Sequence, residues 1–135
     1  MGRARHIYGL ALALSLGAAP AAPAQSANAT WQSTPASVLK SSLRNVVAAQ
    51  DKYRETHPGF ASSVEALRVT PESGVKIQIL GVTAGGWRAK AIHKERPGRS
   101  CVVFVGKLRA TEFPRTDGDG EMAGEETVPL CDRME

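Results

Sequence analysis

An α+β fold, with one long N-terminal amphipathic helix packed on a three- to four-stranded antiparallel meander, follows from three features of this sequence. Apolar residues recur at three- and four-residue intervals from Val38 to Tyr53, and the period switches to two after Gly74. Two cysteines, Cys101 and Cys131, bracket a polar, glycine-containing stretch that a covalent bond would close against the sheet. With 135 residues, 42% of them hydrophobic and 22% charged, the chain can build one core and not several.

The first segment carries a targeting pattern and stands outside that core. Arg3 and Arg5 precede an apolar run from Ile7 to Ala19, followed by the small, helix-breaking zone Pro20-Ala21-Ala22-Pro23-Ala24-Gln25. The run has 13 residues, short of the roughly 20 that span a bilayer. It reads as a secretory signal peptide over residues 1–24, with Ala22-Pro23-Ala24 placing the cut before Gln25 and Ala27-Asn28-Ala29 as a usable alternative. The expected product is secreted or periplasmic, 106 to 111 residues long, with no membrane span after cleavage. Residues 25–34 are small and polar apart from Trp31 and read as a flexible tether; residues 35–135 are the globular domain.

In an oxidising compartment, two cysteines allow a single intramolecular connectivity, and a Cys101–Cys131 disulfide is expected. By the chain-entropy relation it would contribute roughly 3 to 4 kcal/mol. Metal-binding or redox thiols are disfavoured, because neither a CxxC spacing nor adjacent histidines accompany the pair. The formal net charge is +4, and +2 once Arg3 and Arg5 are removed. These charges are scattered singly, without a basic run or interleaved aromatics, which excludes a nucleic-acid groove. An aromatic content of 5% argues against a large ligand-stacking pocket.

Along the domain, Ser33 or Thr34 caps a helix with Pro35 in its first turn, and Val38, Leu39, Leu43, Val46, Val47 and Tyr53 form its apolar stripe. The helix is predicted over about 35–56, stopped by His57-Pro58-Gly59. A Ser62 or Ser63 cap before Val64-Glu65-Ala66-Leu67 marks a short second helical turn. Strands are predicted at Val75–Leu80, Trp87–His93 and Ser100–Gly106, joined at Gly85-Gly86 and Pro97-Gly98. In the second strand Trp87, Ala89, Ala91 and His93 share one face, while the third is apolar on both faces and should be the most buried. Lys107 to Val128 is polar, so little regular structure is expected before Cys131 returns the chain to the third strand.

Candidate chemistry is sparse. His57 sits at a helix end, where the dipole favours it, and His93 continues a core-facing stripe. No nucleophile elbow places a serine for catalysis, so a non-enzymatic protein is expected. Asp117, Asp119 and Glu121 alternate with small residues as hard oxygen ligands for calcium often do, but the twelve-residue pattern and its terminal bidentate glutamate are missing, and a solvated acidic loop is the simpler reading. No other cofactor is implied. Trp31, in the tether, is the candidate for an exposed partner contact, whereas Trp87 belongs to the core.

The ordered set of pieces resembles the globular head of type IV pilins and pseudopilins. The likeness rests on Leu43-Arg44-Asn45-Val46-Val47-Ala48-Ala49-Gln50-Asp51-Lys52-Tyr53, on Phe60 followed by Leu67, on Gly74-Val75, on Gly86-Trp87-Arg88-Ala89-Lys90-Ala91-Ile92-His93, and on Cys101 with Cys131-Asp132. It covers about residues 36–132. Pilins keep an apolar anchor helix of some 25 residues that also forms the filament core; here a conventional leader is read in its place, so the resemblance implies a head domain lacking that helix. The resemblance implies a cell-envelope interaction or accessory module related to a filament or secretion system, with protein partners or further copies of itself. A self-assembling extracellular structural subunit and a calcium-binding adhesion module are the alternatives.

Overall fold

The computed structural model describes Gly17 and residues 33–134, so the leader, most of the tether and Trp31 lie outside the described residues. Two helices and four strands follow in order: α1 (Pro35–Arg54), α2 (Val64–Leu67), β1 (Val75–Val82), β2 (Gly86–His93), β3 (Ser100–Gly106) and β4 (Leu130–Cys131). All six belong to one unit, Ser33–Glu135. The sheet order is β1-β2-β3-β4 with every neighbouring pair antiparallel, the expected meander with a two-residue fourth strand added.

Thr34 starts α1, its hydroxyl accepting from the Ser37 amide at 3.2 Å, while Pro35 occupies a position where a missing N–H costs nothing. The helix ends two residues before the predicted stop. Glu55 and Thr56 donate their amides three residues back, to Lys52 and Tyr53, tightening the last turn. His57 then folds back: its ring stacks on Tyr53 at 3.8 Å between centroids, and its Nδ1 lies 2.9 Å from the Tyr53 carbonyl oxygen. This is the end-of-helix role expected for a histidine.

Leu39, Leu43 and Val46 are fully buried on the sheet-facing side of α1, against Trp87, Ala89 and Ala91 of β2 and Cys101 and Val103 of β3. Each large aliphatic side chain removed from water in this way contributes about 1.5–3 kcal/mol. Gln50 is also fully buried, with no charge to satisfy but two polar ends. Its Nε2 donates to the Ala61 carbonyl and its Oε1 accepts from the Ala61 amide, both at 2.8 Å, so one side chain mimics a strand partner and pins the α1–α2 connection. Ser63 caps α2 by accepting from the Ala66 amide at 3.2 Å.

β1 runs two residues longer than predicted, to Val82, because a register shift between Ile79 and Gly81 lets pairing resume beyond Leu80. At the same end of the sheet, Gly86 of β2 faces Gly106 of β3, which has φ +87°. A Cβ on either would strike a neighbouring carbonyl oxygen, that of Val105 or Gly85, so the close backbone approach requires both glycines. β3 is buried from Ser100 through Phe104. Its two faces serve different clusters: Cys101 and Val103 meet the helix layer, and Val102 and Phe104 meet Ala123, Leu108, Phe113 and Leu130. The segment predicted to be irregular thus forms a second cover over the face of β3 opposite the helix.

Candidate functional site

The cover begins after Gly106 and has few apolar residues, so polar contacts hold much of it. Phe113 packs edge-on against Phe104, with ring centroids 4.9 Å apart at 85°. The Thr127 amide donates to the Phe104 carbonyl at 2.9 Å, and the Glu126 carboxylate accepts from the Gly106 amide. Arg88, on the outward face of β2, donates to the Glu112 carbonyl at 3.0 Å. Covalent closure is at the C-terminal end: Cys101 and Cys131 are direct register partners across β3 and β4, with Cα atoms 4.0 Å apart, and form the expected disulfide.

Within the cover, residues 116–121 make a tight turn. The Thr116 amide donates to the Glu121 carbonyl at 2.9 Å, and the Glu121 amide donates to the Thr116 hydroxyl at 3.0 Å. The intervening chain points three successive amides inward, and a concave row of backbone donors of this kind attracts an anion. Asp132 supplies it. Its Oδ2 accepts from the Gly118 and Ser100 amides, both at 2.8 Å, and its Oδ1 accepts from the Asp119 amide at 2.6 Å. The third inward amide, that of Asp117, donates to the Ser100 hydroxyl at 2.8 Å.

Asp132 is only 3% exposed, yet hydrogen bonds keep its carboxylate charged. Burial pushes its carboxyl up, but a hydrogen bond from the Thr116 side chain and the amides of Asp119, Gly118 and Ser100 outweigh that effect and bring it down to about 2. Placement of Asp132 depends on its neighbours. Cys131 is disulfide-bonded, and the Asp132 amide donates to the Ser100 carbonyl at 2.9 Å, so the carboxylate is delivered to the turn by β4 pairing with β3.

Asp117 and Asp119 are brought close in sequence but their side chains serve separate cations. Asp117 pairs with Lys90 of β2 at 3.2 Å, and Asp119 with Arg99 at 2.8 Å. Asp119 also accepts from the Arg133 amide at 2.9 Å. That amide is the main influence holding the Asp119 carboxyl below its ordinary range; burial opposes it, and Arg99 assists. Glu121 is exposed and contributes its backbone to the turn. Among the described residues, no group of three or more His, Cys, Asp or Glu side chains is gathered in a way that could hold a metal ion.

His93 is half-buried and accepts from the Glu95 amide at 3.1 Å. Trp87 is fully buried, as expected for a core residue, and its indole N–H has no hydrogen-bond partner among the described residues. Among those residues no helix is long and apolar enough to cross a membrane.

Sequence reasoning paired the cysteines and marked the acidic turn, but missed Asp132 as the turn's anion, Thr116 and Ser100 as its supports, and Gln50 as the pin of the helical connection. A signal for Asp132 was present. A run of Asp and Gly residues that turns its amides inward needs an acceptor, and the residue beside a disulfide cysteine is held in place to be one. No protein-family profile matches this sequence, and no curated protein matches it significantly.

Proposed function

We propose that this chain is an exported, pilin-head-like domain that serves as a non-enzymatic interaction or accessory module of the cell envelope, related to a filament or secretion apparatus. The observation that carries this reading is the order and closure of the parts: a helix on an antiparallel meander, then a C-terminal cover tied back to the third strand by Cys101–Cys131. A disulfide agrees with an oxidising compartment, and the leader pattern of residues 1–24 agrees with export to one. The doubly fastened turn at 116–121 offers a partner a surface whose ordering cost is met within the domain, which favours recognition by a preformed face.

Affinity capture from native envelopes tests the reading, with the processed protein as bait and a Cys101→Ser/Cys131→Ser variant as control. Recovery of filament or secretion-system components by the disulfide-bonded form, reduced in the variant, supports it. Recovery of none rejects it. N-terminal sequencing of the exported product tests the leader, and an intact Met1 would reject export by this route.

Self-assembly as a structural subunit is the second reading, favoured by one observation. Among the described residues β1 has a neighbour on one side only, so its other edge presents backbone groups to a further strand. Sedimentation over a range of concentrations separates the two: a persistent monomer rejects self-assembly and leaves the module reading standing.

A further inference from the structure

We draw no further inference here: the strongest candidate, the open groove of about 590 Å³ where the C-terminal end of α1 meets α2, lined by Lys52, Tyr53, His57 and Arg68 among others, carries none, because nothing in the structure shows what would occupy it.

Discussion

Replacing Asp132 with Asn tests whether one carboxylate organises the acidic turn. The carboxyl lies at about 2 instead of its ordinary 3.8, which at about 1.4 kcal/mol per pH unit means that the folded state favours the ionised form by about 2 kcal/mol. Asparagine removes the charge and turns an NH2 group towards backbone donors, leaving at least one buried amide without an acceptor. The expected loss is about 2–4 kcal/mol at pH 7. A folded-state value below the unfolded one stabilises above pH 3.8, and that contribution is lost as pH falls towards 2. Urea unfolding of both proteins, disulfide intact, should therefore show a gap at pH 7 that narrows from about pH 4 downwards. The corresponding drop in melting temperature at neutral pH is about 10 °C or more. A difference below about 0.5 kcal/mol at pH 7, or a gap of the same size at pH 2 and pH 7, would refute the reasoning.

Other perturbations probe separate fastenings. Cys101→Ser/Cys131→Ser opens a closure between residues 30 apart in sequence and should cost about 3–4 kcal/mol in equilibrium unfolding, matched by reduction of the native protein. Gln50→Leu strands the Ala61 amide and carbonyl in the core, so a loss of about 2–4 kcal/mol is expected, with faster amide exchange near Ala61 as the specific signature. Gly106→Ala combines a left-handed backbone at φ +87° with a collision against the Gly85 carbonyl and should destabilise by about 2 kcal/mol or more; an unchanged unfolding midpoint would show that the hairpin end can spread. With Asp117 and Asp119 committed to Lys90 and Arg99, millimolar calcium should leave the melting temperature where chelator leaves it, and a rise of several degrees would favour the calcium-binding alternative.

Local pattern made most of the scaffold legible. The stripe from Val38 to Tyr53 has the period of a helix, and Trp87, Ala89 and Ala91 alternate as a strand does, so spacing alone picks out Leu39, Leu43 and Val46 of α1 and that face of β2 as buried, but it leaves Gln50 on the polar side of α1, where the structure instead buries it. β3, apolar on both faces in the sequence, is the most buried strand, but nothing in the local pattern identifies the segment that covers its second face. That cover contains too few apolar residues to carry a periodic signal; it is held by contacts such as Arg88 to Glu112 and Lys90 to Asp117, which join residues 24 and 27 apart. α1 ends two residues short of the position its pattern predicts because helix termination there depends on how the chain bonds back to Lys52 and Tyr53.

Composition, periodicity and cysteine count by themselves determined the α+β class, the two helices and first three strands to within two residues, and the one possible disulfide, because each depends on side-chain character or on separation along the chain. Only the tertiary structure decided that Asp132 fills the turn at 116–121, that Gln50 clasps Ala61, and that the acidic residues face separate cations. Hydrogen bonds and ion pairs act over about 3 Å between groups that only the completed fold brings together, and no spacing rule along the sequence encodes that proximity.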